Sequence, residues 1–231
     1  MALGFQNPDE MDFTVSNVLH KAVEEEQIDP TEGILTTSEG IDLMPANIQL
    51  SGLEISLINE YGREVMLKQY IEAVRLNYDY ILIDCAPSLS VLTVNALVAS
   101  DSVLIPTQPQ YFSTAGLQMF YETIYKIRKK MNPSLSIEGV LVTMMNNRPN
   151  FTRDLVAQLR ETYGNVFKVF DAEIPTSIRM TESSARGKSI FAFDPKGKVA
   201  AAYEKLTQEV IENGRQEKTV QRELRAVQTA R

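Results

Sequence analysis

Apolar residues recur at helical spacing over the first third of the chain. Between Phe13 and Glu26, Val15, Val18, Leu19 and Val23 fall on one face, and Asp12 or Thr14 precedes them as a cap, which predicts a short amphipathic helix. It ends in Glu24, Glu25 and Glu26 ahead of Asp29-Pro30, a solvated helix end to which no function is assigned. A short strand is predicted over Ile41 to Met44. A long helix from Ser51 to Leu76 is predicted next, with Leu53, Leu57, Tyr61, Val65, Tyr70 and Val74 as its core stripe.

The period then changes. Tyr80-Ile81-Leu82-Ile83 is a continuous apolar run that reads as a buried strand, ending in Asp84 and the turn Cys85-Ala86-Pro87-Ser88. Helices and strands alternate after it: helix Leu89 to Ala99, strand Ser102 to Pro106, helix Ser113 to Met131, strand Ile137 to Met144, helix Thr152 to Tyr163 and strand Val166 to Ile174. Val103-Leu104-Ile105 and Val140-Leu141-Val142 lack a period of two, as befits strands covered on both faces. The fold class is therefore α/β, a mostly parallel sheet flanked by helices on both faces, with ligands expected at the carboxyl ends of its strands. A last helix from Lys198 to Glu212 carries Val199, Tyr203, Leu206 and Val210 inward and should break at Asn213-Gly214. The tail beyond it is basic, with Arg215, Lys218, Arg222, Arg225 and Arg231 against Glu217 and Glu223. With no internal repeat and no low-complexity linker, residues 1–212 read as one domain and 213–231 as a tail.

Composition narrows the function. A chain of 231 residues that is 44% hydrophobic can bury a full-sized core. A formal net charge of −7 argues against a surface that binds nucleic acid everywhere, so any DNA contact must come from a local patch. One cysteine, Cys85, excludes an internal disulfide, and with His20 as the lone histidine no zinc cluster can form. No N-terminal apolar stretch resembles a signal peptide or a membrane span, and a cytoplasmic chain is expected.

Asp84 is the foremost candidate for chemistry. A carboxylate at the end of a buried strand, at the mouth of a parallel sheet, can hold a magnesium-bound water beside a nucleotide. It can equally cap the turn or helix that follows, and the strand-Asp-turn pattern leaves both open. Asn146 and Asn147 can cap a loop before Arg148-Pro149. No segment reads G-x-x-x-x-G-K-[ST]; Gly187-Lys188-Ser189 lacks the upstream glycine and the strand-to-helix setting, and Gly197-Lys198 fails likewise.

The words around Asp84 say more than the spacing. Tyr78 to Leu89, then Leu92-Thr93-Val94-Asn95-Ala96-Leu97, then Asp101 to Pro106, resemble the Walker B segment and following strand of the ParA and MinD ATPases. Tyr111 to Leu117, Gly139 to Arg148, Ile174 to Arg179 with Glu182, Gly187 to Ile190 and Asp194 to Lys198 are similar to ParA-type segments in the same order, from about Asp12 to Glu212. ParA fits better than MinD, since no membrane-targeting amphipathic helix of the MinD kind is evident.

The resemblance implies a P-loop NTPase-like fold and a role for each matching residue. Asp84 becomes the magnesium-side carboxylate, and Pro87 and Ser88 part of a loop that senses the γ-phosphate. Asn146 falls near adenine, and Pro175 and Thr176 on a loop beside the base. Arg179, Lys196 and Lys198 match positions that contribute to non-specific DNA binding by the dimer. The cofactors implied are ATP and Mg2+; the partners are a second copy of the chain, a ParB-like protein and DNA, with nucleoid association if DNA binding is retained. The family places a glycine-rich phosphate loop ahead of the region matched here, and Met1-Ala2-Leu3-Gly4-Phe5 resembles a family interior. The expectation is a truncated form that binds ATP poorly. Two functions follow: an ATP-dependent partition switch, or a non-catalytic adaptor that keeps the partner surface without cycling nucleotide.

Overall fold

The computed structural model describes residues 3–5, 7–109, 114–145 and 149–229, with side chains outside the description at 114, 115, 149–153 and 215–229. Packing divides the chain into two compact units, Met1–Ser102 with Thr114–Ser136, and Val103–Ser113 with Ile137–Arg231.

The first unit is mainly helical. Helix α1 (Val15–Val23) starts at Thr14, whose side chain and that of Asn17 form a reciprocal capping box. Strands β1 (Leu35–Thr36) and β2 (Asp42–Leu43) make a small antiparallel hairpin. It is closed by the Thr36 hydroxyl donating to Asp42 at 2.7 Å and by the Tyr78 phenol donating to Asp42 at 2.9 Å. Those two donors, Thr36 first, hold the Asp42 carboxyl below the usual carboxylate range.

Helices α2 (Gln49–Ser56), α3 (Met66–Val74), α4 (Val91–Ala99) and α5 (Thr114–Lys130) complete the unit. The long helix predicted over Ser51 to Leu76 is in fact two. A 3-10 turn at Leu57–Asn59 and a bend at Gly62, whose φ of 69° is one that glycine adopts freely, separate α2 from α3. The periodic stripe misled because the break keeps Leu57, Tyr70 and Val74 on the core while turning Tyr61 out to full exposure. Val18 and Leu19 of α1, Met66, Leu67, Tyr70 and Val74 of α3, and Ala96 of α4 form the apolar centre.

Two buried asparagines bind these helices together. The Asn95 carbonyl oxygen accepts from the Leu67 amide at 3.1 Å, starting α3, while its amide group donates to the carbonyls of Arg63 and Val91. The Asn132 amide group donates to the carbonyls of Leu97, Val98 and Ser100, at 3.0, 3.2 and 2.7 Å, and so closes the last turn of α4.

The predicted buried strand Tyr80–Ile83 is not formed. Residues 80–85 form no regular element, and among the described residues their backbone makes no backbone–backbone hydrogen bond. Ile83 packs on the core, but Leu82 is 93% and Tyr80 69% exposed. An apolar run has the side chains of a strand wherever it sits; it becomes one only where a neighbouring strand offers its amides and carbonyls.

The second unit holds a sheet ordered β3 (Ser102–Thr107), β4 (Ser136–Met145), β5 (Val169–Pro175), with β4 and β5 parallel. Helices α6 (Pro149–Tyr163), α7 (Ile178–Ala185), α8 (Ile190–Phe193) and α9 (Lys198–Thr229) accompany it. Leu141, Phe170, Ala172, Ile174, Ile190, Val199 and Ala200 make its core, with Leu104 of β3 packed against them. This is the α/β arrangement expected. The outer edge of β5 is covered by α9: the Glu209 carboxylate accepts from the Asp171 and Ala172 amides at 2.9 and 2.7 Å, and Lys205 donates to the Asp171 carbonyl at 2.8 Å.

Helix α9 does not break at Asn213-Gly214 but runs on to Thr229. The Asn213 side chain is engaged sideways, accepting from Lys168 at 2.7 Å and donating to Glu138 at 3.1 Å, so it is not free to terminate the helix. Replacing Glu209 with alanine should lower stability by about 2–3 kcal/mol, since two amides lose a charged acceptor. Urea unfolding measures this, and an unchanged midpoint would contradict the edge-covering role.

Candidate functional site

Asp84 stands on the irregular segment ahead of α4 in the first unit, between two fixed points. On one side Ile83 packs against the core; on the other the Ser88 carbonyl accepts from the Thr93 hydroxyl of α4 at 2.6 Å. The Ser88 amide in turn donates to the Ala86 carbonyl at 2.8 Å, which folds the Pro87-Ser88 turn tightly. Asp84 itself is exposed and makes no hydrogen bond or ion pair among the described residues. The capping alternative therefore fails, since α4 begins at Ser90 without help from that carboxylate. Beside it, burial first and the Asp84 charge second push the Cys85 thiol up, and its S–H donates weakly to the Ile83 carbonyl at 3.7 Å.

An unpartnered carboxylate is what a hydrated magnesium needs from the protein, but one carboxylate is not a site. Among the described residues no group of three His, Cys, Asp or Glu side chains could hold a metal. Asp84 thus fits a cation that brings most of its oxygen ligands with it, as a nucleotide-bound magnesium does.

In the second unit, Met145 at the end of β4 lies in register with Pro175 at the end of β5, and the Thr176 amide donates to the Met145 carbonyl at 3.0 Å. Pro175 and Thr176 are thereby clamped next to the residue that precedes Asn146. Asn146 itself lies outside the described residues. Met144 takes a φ of 55°, a left-handed conformation that costs a non-glycine residue about 1 kcal/mol, where the β4–β5 register shifts between Val142 and Met145.

Arg179, Lys196 and Lys198 gather around the start of α7 and the turn into α9. Arg179 meets Glu182 at 3.1 Å and Asp194 at 3.6 Å, and its guanidinium lies 4.6 Å from the Phe193 ring centre. Asp194 also receives the Gly197 amide on its backbone carbonyl at 2.9 Å, and a Cβ at Gly197 would push its carboxylate aside. Lys196 and Lys198 are exposed, with no carboxylate partner among the described residues. The cluster therefore splits: two lysines are available to a phosphate, while Arg179 has its charge offset already.

Gly187-Lys188-Ser189 joins α7 to α8, and Ser189 accepts from the Ala192 amide at 3.1 Å as the cap of α8. No strand leads into it, which agrees with its exclusion as a phosphate loop. Among the described residues no strand-to-helix glycine loop offers a cradle for phosphates. The two buried asparagines that position α3 and α4, Asn95 and Asn132, escaped the sequence reading; an asparagine inside an otherwise apolar helix, as at Asn95, was the available signal.

A family model described as an AAA domain matches residues 1–137. The sporulation initiation inhibitor protein Soj of Bacillus subtilis is 44% identical over 179 residues, 78% of this chain and 70% of that protein. The chromosome partitioning protein ParA of Caulobacter vibrioides is 41% identical over 184 residues, 79% of this chain and 68% of that protein. Among solved structures, cobyrinic acid a,c-diamide synthase from Mycobacterium smegmatis with bound ADP and magnesium superposes with a TM-score of 0.69 at 32% identity, covering 80% of this chain and 72% of that one. The chain spans about two thirds of the length of the curated relatives it matches. With its α/β sheet and with relatives of this similarity over most of its length, the chain belongs to the ParA-type partition ATPase family.

Proposed function

We propose that the chain works as part of an ATP-dependent partition switch, in which nucleotide and magnesium control self-association and non-specific DNA binding, and a ParB-like partner resets the cycle. The observation that carries this is Asp84: an exposed carboxylate without a partner, held between a core-packed Ile83 and a turn bonded to α4, waits for a cation at the start of a helix. Pro87 and Ser88 sit where a change at that cation would move the turn. Pro175 and Thr176, clamped to the end of β4, would wall the base together with Asn146. Lys196 and Lys198 supply the phosphate contacts to DNA, with Arg179 as their support. Soj and the chromosome partitioning protein ParA, at 44% and 41% identity, are better guides to function than the diamide synthase at 32%.

The second reading, a non-catalytic adaptor for the same partner, is favoured by one observation: the sequence has no G-x-x-x-x-G-K-[ST] loop, so the negative charge of a triphosphate meets no amide cradle or lysine. Calorimetry separates the two. The chain by itself should give no micromolar isotherm with ATP and magnesium. Joined ahead of Met1 to a strand–G-x-x-x-x-G-K-[ST]–helix segment, it should gain one that depends on magnesium, and Asp84→Asn should remove the magnesium dependence. A micromolar isotherm from the chain alone would refute the first expectation. Failure of the joined, folded form to bind ATP would leave the adaptor as the better account.

A further inference from the structure

A cleft of about 450 Å3 opens in the first unit between the turn before α3, the start of α4 and the last turns of α5. Its apolar lining includes Ile58, Leu89 and Met131, which are 55%, 46% and 39% exposed. One wall carries Lys126 and Lys130, a single helical turn apart. Neither has a carboxylate partner among the described residues, and Arg128 and Lys129 add to the charge of the same last turn. In a chain of net charge −7, this is a strongly positive spot beside an exposed greasy one. The helix dipole accounts for basic residues at the end of α5, but it gives no reason for apolar side chains left open at their foot.

We propose that this cleft docks an acidic amphipathic helix of a partner protein, its apolar face on Ile58, Leu89 and Met131 and its carboxylates on Lys126 and Lys130. Charge complementarity selects an acidic occupant, and the concave apolar floor selects a helix face laid into a groove. Duplex DNA fits less well, because its phosphates would leave the apolar side chains of Ile58 and Leu89 uncovered. Arg63 does not tip that balance, since it is bonded to Glu64 and to the Ile58 carbonyl. Leu89-Ser90-Val91 forms part of the wall, so the docked helix would rest against the end of the Pro87-Ser88 turn.

The test uses the full chain and a fluorescein-labelled helical peptide of about 16 residues, leucine at helical spacing and glutamate elsewhere, followed by anisotropy. K126E/K130E should weaken binding by about tenfold or more, and Ile58→Ser by several-fold, each with the fold retained by far-UV circular dichroism. A peptide with lysine in place of glutamate should bind K126E/K130E better than the original chain, a reversal that simple unfolding cannot produce. Binding of the acidic peptide by K126E/K130E within twofold of the original would overturn the proposal. So would a labelled duplex of about 24 base pairs that binds at this wall, is lost in K126E/K130E and is indifferent to Ile58→Ser, since that pattern marks a nucleic-acid contact.

Discussion

Asn95→Leu will destabilise the protein by about 3 kcal/mol, although it replaces a polar side chain in the interior with an apolar one of nearly the same size. Asn95 is 1% exposed and ties α4 to the start of α3 and to the turn before it. Its oxygen holds the Leu67 amide at the start of α3, an amide with no partner inside its own helix, and its nitrogen holds the Arg63 carbonyl in the turn just before. Leucine would match the volume but orphan both groups away from water, and the desolvation cost of each is about 1–3 kcal/mol. Asn95→Asp keeps the acceptor for Leu67 and loses the donor, while burying a charge, so it should fare no better at neutral pH. Urea unfolding followed by far-UV circular dichroism gives the number. A loss below about 1 kcal/mol would mean that water or a rearranged turn satisfies these groups, and that Asn95 is not the tie between α3 and α4.

The elements that were legible in the sequence are those whose own residues carry the reason for them. Val103-Leu104-Ile105 and Val140-Leu141-Val142 became β3 and β4 near the boundaries read from them, since runs covered on both faces have no competing period. Helix α1 was legible from Thr14 and the stripe of Val18 and Leu19. What failed was whatever depended on a partner elsewhere. The split of α2 from α3 hangs on Gly62 and on Asn95, more than thirty residues later. The continuation of α9 past Asn213 hangs on Lys168 and Glu138, on a different part of the chain. The same division applies to the candidate site. Asp84 was found at the end of its apolar run, but that the carboxylate would be free of any capping duty could be read only from the space around it. Arg179 looked like Lys196 and Lys198 in sequence, yet Glu182 and Asp194 set it apart.

Leu82→Lys should lower self-association of this chain by about tenfold or more while leaving its melting temperature unchanged. The Leu82 side chain is 93% exposed, so a lysine there loses no internal packing. Its backbone, with those of Tyr80, Ile81 and Ile83, has no ladder partner among the described residues, and an apolar run with open amides and carbonyls is a template for another strand. Covering one leucine between two copies is worth about 1.5–3 kcal/mol, which is the source of the tenfold figure. A charge at the centre of the run opposes pairing, as it does on natural edge strands. Ile83→Lys is the contrasting change: Ile83 packs on the core, so this variant should unfold more readily and aggregate more, not less. Hydrogen exchange supplies an independent reading, with the amides from Ile81 to Asp84 expected to exchange at nearly the rate of an unfolded peptide in the dilute monomer. Sedimentation across a concentration series measures the association. A clean monomer with slow exchange over Ile81 to Asp84 would show that these amides are already paired, and the run would then be an interior strand after all.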